Sequence, residues 1–317
     1  MRRTKINYRL DEALPHPPEL MAALDRLSAQ AEAVVAREQA AFTEIPCPAC
    51  GEHGSTEGFE RRGFTYRRCA RCSSLYVSPR PSKDLLFWYM QRSPFADFLK
   101  SAEYCVSVDE HRHAIALSRA DRIATARHGV PAQPGAGILD LNPAGPYLAA
   151  ALAAIGIGPV LAVRDPAEAV SNSASVVAGF ELMERVWDID ELLAAAHRAL
   201  VPGGRLILSM RSGSGFDILL LWDQARLLPL EHLNLLSVEG VQIALARHGF
   251  EVLELSTPGQ LDVQMVERSY RDGIEGAAGR FLTYFFERRD RFARDSLQAF
   301  LQESLMSSHL MITAIRP

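Results

Sequence analysis

Four of the five cysteines stand in two pairs, Cys47-Pro48-Ala49-Cys50 and Cys69-Ala70-Arg71-Cys72, with 18 residues between them. A Cys-x-x-Cys turn presents two thiolates from one tight loop, and two such turns complete the tetrahedral shell that zinc prefers. A four-thiolate shell has no open position, so the expected zinc on Cys47, Cys50, Cys69 and Cys72 is structural. The alternatives are a redox dithiol as in thioredoxin and four unrelated buried thiols; two pairs together favour the metal. Gly51 follows the first pair, where the turn favours a backbone without Cβ strain. His53 lies beside that turn but is not needed as a ligand. Cys105 stands alone and reads as a small buried hydrophobe.

A second set of residues suits proton transfer or ligand binding. His232 lies in Glu231-His232-Leu233-Asn234, on a loop after the predicted long apolar helix FDILLLWDQARLL. A loop histidine there can act as a general base toward a substrate hydroxyl, or it can tether the loop. Arg211, Ser212 and Ser214 share a glycine-rich loop that either admits a phosphate or sugar or is ordinary turn chemistry. His309 either faces the cleft or caps the last strand, and the cap is the favoured reading. His111 and His113 are two apart in a predicted helix and point to different faces, so they are not a metal pair. The run Arg288 to Arg291 has mixed charge and reads as a solvated helix face.

The elements that position these residues follow from pattern. The chain has 317 residues, 48% hydrophobic and 23% charged, which are globular values. Its net charge of -4 argues against bulk nucleic-acid binding, although six arginines between residues 61 and 80 leave a local basic patch open. No run approaches the ~18 apolar residues of a membrane span, and the basic N-terminus lacks the apolar core of a secretory signal. A cytoplasmic protein without membrane contact is expected.

Residues 1–45 read as a helical arm, with a protein partner as one use of its unpaired stripe. Residues 46–82 form the ribbon and 83–132 a helical connector. Residues 133–267 alternate strand and helix, and residues 268–317 are a helical extension with a last strand, HLMITAI. The expected class is α/β.

The segment ELMERVWDIDELLAAAHRALVPGGRLILSMRSGSG, from Glu181, resembles class I S-adenosylmethionine (SAM) methyltransferases. There an acidic strand end leads through a helix to a Pro-Gly-Gly turn and the next strand. PLEHLNLLSVEGVQIALARHGFEVLEL fits the same family, and the ribbon followed by LYVSPRP is similar to a zinc-binding subgroup concerned with sugars or small metabolites. The resemblance implies a Rossmann-like sheet. It also implies that SAM lies over Asp140, Asn142, Ala144 and Gly145, with Glu181 near the methionine end and Asp165 near the ribose, although Arg164 and Pro166 beside Asp165 are equally the marks of an ordinary turn. It places Glu184 near the substrate, and Arg185 replaces the histidine expected beside it.

Two departures follow. The family's glycine-rich loop is here Asn142-Pro143-Ala144-Gly145-Pro146, in which two prolines remove N–H donors. Only 34 residues, Leu141 to Ala174, separate the first strand from the strand at Ser175, where a full set of elements needs about 60. One βα unit is therefore expected to be missing. The leading expectation is a SAM-dependent methyltransferase for a saccharide or small hydroxylated metabolite, with His232 and Glu184 catalytic. The alternative is a methyltransferase-fold scaffold that has lost SAM.

Overall fold

The N-terminal arm is helix α1 (Pro18–Val35), whose inward stripe includes Ser28, Ala31, Glu32 and Val35. Glu32 accepts hydrogen bonds from Ser28 at 3.1 Å and Arg62 at 2.8 Å, and Ser28 lies 3.1 Å from the Tyr89 hydroxyl. Ala31 and Val35 pack in one cluster with Phe64, Tyr66 and Phe95. The inward stripe of α1 thus packs within the chain. This computed structural model describes residues 2–3, 18–131, 133–143, 145–274 and 279–317.

The ribbon is an antiparallel meander of β1 (Ser55–Arg61), β2 (Phe64–Cys69) and β3 (Leu75–Val77). Three helices follow: α2 (Lys83–Arg92), α3 (Pro94–Lys100) and α4 (Ala102–Arg127). Each begins at a serine, Ser82, Ser93 or Ser101, whose hydroxyl accepts from an otherwise unpaired N–H of the first turn. Pro94 ends α2 and starts α3, as its fixed φ and missing donor require.

The α/β part runs β4 (Gly137–Asp140), α5 (Tyr147–Ala154), β5 (Val160–Ala162), β6 (Ala174–Phe180), α6 (Ile189–Ala199) and β7 (Leu200–Arg211). It continues with α7 (Phe216–Leu221), β8 (Asn234–Leu235), α8 (Val238–Arg247) and β9 (Glu251–Ser256). Helices α9 (Asp262–Arg271), α10 (Arg280–Arg288) and α11 (Arg291–Glu303) lead to β10 (His309–Ile315). The main sheet has the order β9-β10-β7-β6-β4-β5, and Arg2–Arg3 pairs outside β9. Among the described strands of this sheet only β10 runs antiparallel to its neighbours. Strands β4 and β6 are buried at every position, as strands covered on both faces must be.

A single strand, β5, lies between β4 and β6 in sequence, and it forms the sheet's edge. The described residues thus hold one βα unit between β4 and β6, as the 34-residue spacing leads one to expect. Leu161 on that edge is 49% exposed, with no further strand beside it among the described residues.

Two local expectations change. The run FDILLLWDQARLL is not one helix: α7 ends at Leu221, and Trp222 has φ +50°. Leu227, Leu230 and Leu233 are buried from a loop, because the ribbon covers them and their apolar character reflects burial rather than helical period. Pro202-Gly203-Gly204 lies within β7 as an irregularity between Leu200 and Arg205, with Gly203 at φ +77°.

Ribbon and α/β part share a sheet. Strand β8 pairs antiparallel with β3, Asn234 opposite Tyr76, giving the order β8-β3-β2-β1. Phe64, Tyr66, Leu75 and Val77 join Ile218, Leu221 and Leu230 in one core. Among the described residues no helix is long and apolar enough to cross a membrane.

Candidate functional site

The four cysteines of the two turns converge. Their Sγ atoms all lie within 4.8 Å of one another, with Cys47 to Cys72 at 3.6 Å and Cys50 to Cys69 at 3.5 Å. A tetrahedron with ~2.3 Å metal–sulfur bonds has edges of about 3.8 Å, so this spacing fits zinc. All four are buried free thiols. Gly51 supplies the left-handed residue of the first turn at φ +74°, and Ser73 takes that conformation after the second at φ +61°. The backbone N–H of Arg71 points to Cys69 Sγ at 3.4 Å, which would stabilise a thiolate. The hydrogen bond between Cys47 and Cys72 lowers the pKa of the Cys72 thiol and raises that of Cys47.

A cavity of about 620 Å³ lies over the carboxyl end of β4. Asp140, Asn142, Pro143 and Gly145 form one wall, with Glu181, Arg185 and the connector residues Arg119 and Tyr104 opposite. Asp140 is buried, its carboxyl pKa raised by that burial, and its Oδ1 accepts from the N–H of Asn142 at 3.0 Å. Asn142 stands at a family glycine position and uses its side chain: Nδ2 donates to Phe180 O at 2.7 Å, stitching the loop to β6. Gly145 has φ +104°, a conformation that needs glycine. Ala144 lies outside the described residues. The loop thus compensates for lost glycines by a side-chain stitch, and an open space of ligand size remains above it.

Glu181 ends β6 at φ +50°, a strained conformation of the kind held at functional sites. Arg119 pairs with it at 3.0 Å and stacks over the Phe180 ring at 4.7 Å. This guanidinium holds the Glu181 carboxyl well below its usual range.

A smaller cavity of about 240 Å³ adjoins on the far side of Glu181 and Arg185. It is lined by Glu184, Arg211, His232, Asp262, Ser308 and His309 among others. Glu184 is 4% exposed, and its Oε2 has no hydrogen-bond partner among the described residues. Burial raises its pKa to about 7 against the opposing pull of Arg185. A buried carboxylate oxygen without a partner is costly unless a ligand supplies a donor. Arg185 itself lies 3.3 Å from Glu231.

His232 faces the same cavity, but its chemistry differs from the expectation. Its Nδ1 accepts the backbone N–H of Leu228 at 3.0 Å, and burial together with Arg211 and Arg185 lowers its pKa well below the usual value. A neutral ring whose Nδ1 accepts must carry its proton on Nε2. His232 therefore offers a donor, and the base role assigned to it from sequence does not suit this tautomer.

The structure brings Asp140, Asn142, Gly145 and Glu181 to one cavity and Glu184 and His232 to the next. It does not bring Asp165 to either. Asp165 Oδ1 caps a short turn by accepting from Ala167 N at 2.9 Å, while its neighbour Arg164 lines the larger cavity. Ser212 and Ser214 bond each other at 2.9 Å, and Arg211 is paired with buried Asp217, so that loop is satisfied internally. His309 lines the smaller cavity as well as starting β10. Arg119 was not legible as a site residue: it is one of several arginines on a long helix, and only the fold aims it at Glu181.

Residues 99–255 match the family model described as a methyltransferase domain. This stretch, just under half of the chain, is similar to that family. The matched stretch runs from α4 to β9 and includes every strand of the main sheet except β10 and the Arg2–Arg3 pairing. Among solved structures, the geranyl diphosphate C-methyltransferase of Streptomyces coelicolor A3(2) is similar over 69% of this chain and 85% of its own, at 14% identity and TM-score 0.41. Phosphoethanolamine N-methyltransferase 2 of Haemonchus contortus is similar over 77% of this chain and 63% of its own, at 20% identity and TM-score 0.40. No curated protein matches the chain.

Proposed function

We propose that the chain is a SAM-dependent methyltransferase for a sugar-like or small hydroxylated metabolite, stabilised by one structural zinc on Cys47, Cys50, Cys69 and Cys72. The observation that carries this is the pair of cavities meeting at Glu181 and Arg185, one over the β4 loop and one around the unpartnered Glu184 oxygen. Asp140, Asn142, Gly145, Glu181 and Arg119 would hold the cofactor, which when bound supplies an electrophilic methyl group. Glu184 would accept the proton of the acceptor hydroxyl, and His232 Nε2–H would hold a neighbouring acceptor oxygen in line.

Calorimetric titration of the full chain with SAM and S-adenosylhomocysteine tests the reading. Binding of both is expected. No heat at millimolar ligand would hand the fold to the scaffold reading, in which the prolines of the β4 loop have closed the site to SAM.

A donor role for His232 also has a signature. His232→Gln, whose amide can still donate, should retain more turnover than His232→Ala, which should lose at least about tenfold. Equal loss in both, with a pH limb that vanishes in both, would restore histidine as the base.

A further inference from the structure

Arg80 is 1% exposed and sits where the ribbon ends, in a short antiparallel pairing of Phe42–Thr43 with Arg80–Pro81. A buried guanidinium is costly unless its donors are met. Among the described residues no carboxylate accepts from Arg80, and its Nε has no hydrogen-bond partner. Its Nη1 donates to Trp187 O, and its Nη2 donates to Leu233 O at 3.3 Å and to Asn234 Oδ1 at 2.6 Å. Burial lowers its pKa to about 10, well above neutrality, so the charge persists.

Asn234 passes the constraint on. With its Oδ1 taken by Arg80, its amide nitrogen is turned to donate to Met183 O at 2.9 Å and Val186 O at 2.8 Å. Its backbone N–H donates to Glu184 O at 3.1 Å. The carbonyls of residues 183, 184, 186 and 187 are thus all held by Arg80 and Asn234. Glu184 lies inside this clamped stretch, with its carboxylate in the smaller cavity. Regular secondary structure does not fix this segment, which lies between β6 and α6.

We infer that Arg80 is a positioning residue for Glu184, acting through Asn234 from outside the methyltransferase domain. The inference rests on the reading of Glu184 as the proton acceptor. It gives the ribbon a second use beside its own fold: its last residues orient the catalytic loop of the neighbouring domain. Arg80 fixes which way the Asn234 amide faces, because a flipped amide would set its NH₂ against the guanidinium and lose both carbonyls.

The test follows the Glu184 carboxyl directly, by carbon NMR of full-length protein labelled at the glutamate carboxyl, with Glu184→Gln identifying the resonance. In the wild type Glu184 should titrate near 7. Arg185, Glu181 and Glu231 near its own segment, Arg211 on β7, His232 before β8, Asp262 on α9 and His309 on β10 all remain in these variants. In Arg80→Met and in Asn234→Asp the loop should loosen and admit water, moving the midpoint down by at least about one pH unit. Arg80→Lys, with fewer and less directed donors, should fall between. Asn234→Asp keeps an acceptor for Arg80 but loses the donors to Met183 and Val186, so it decides the matter should Arg80→Met not fold. Folded variants whose Glu184 titrates as in the wild type would overturn the inference. Absence of SAM binding in the wild type, with the midpoint still shifted by these variants, would instead remove the methyltransferase reading and leave the clamp standing.

Discussion

Glu184→Gln should lower turnover by about 10²–10⁴-fold and abolish a rise of rate with pH centred near 7. A base must be ionised to accept a proton, so the wild-type rate climbs as Glu184 deprotonates. Glutamine keeps the size and a carbonyl oxygen but cannot take the proton, so the limb disappears with the activity. SAM affinity should barely change, because Glu184 lines the smaller cavity while the β4 loop lines the larger. A variant with full turnover and an unchanged pH profile would show that Glu184 is not the base.

The same substitution should stabilise the fold at alkaline pH. The folded pKa of Glu184 is raised above its ordinary 4.5 to about 7 by burial, so folding favours the protonated form. Its favourable contribution is fully present below the unfolded value and is lost as pH rises through the folded one. Above pH 7 the buried charge opposes folding by on the order of 3 kcal/mol. Glu184→Gln should therefore have a higher denaturation midpoint than wild type at pH 8 and a similar one at pH 5. Lost activity with gained stability distinguishes a functional buried charge from a structural one, whose removal costs stability.

Chemistry that needs particular residue types at fixed spacing was visible in the sequence. The two Cys-x-x-Cys turns announced their own convergence because ligand geometry is local to each turn. The missing βα unit was visible too, since 34 residues cannot hold the elements that a full sheet requires. Roles set by long-range contacts were not. Asp165 follows a strand in the manner of a ribose acid, yet its carboxylate is spent on the N–H of Ala167. His232 stands in a suggestive loop, yet the Leu228 N–H decides which nitrogen holds its proton. Arg80 looks like one more basic ribbon residue, and only burial beneath Trp187 and Asn234 separates it from the exposed Arg71. Asn234 belonged to a recognisable motif, but its partners lie about 50 residues upstream and beyond any periodicity.

Removing the metal should unfold more than the ribbon. A structural zinc contributes ~10–16 kcal/mol in isolated fingers, comparable with the whole stability of a domain. The ribbon has little apolar bulk of its own, and its strands bury Phe64, Tyr66, Leu75 and Val77 against the loop carrying Leu227 and Leu230. Strand β8 takes its pairing from β3, the Tyr66 hydroxyl donates to His232 O at 3.0 Å, and Ser237 bonds both Ser74 and Cys72 O where α8 begins. Loss of the tetrahedral shell should therefore free residues 64–77 and 232–240 together. Metal analysis should find about one zinc per chain. In Cys69→Ser or after chelation, hydrogen exchange should rise in both segments at once, and SAM-dependent activity should fall with it. Cys105→Ser, which leaves the shell intact, should change neither metal content nor exchange. A metal-free protein with four titratable thiols and wild-type exchange would refute the zinc site. Exchange confined to residues 64–77 would keep the zinc but deny that the ribbon organises the catalytic loop.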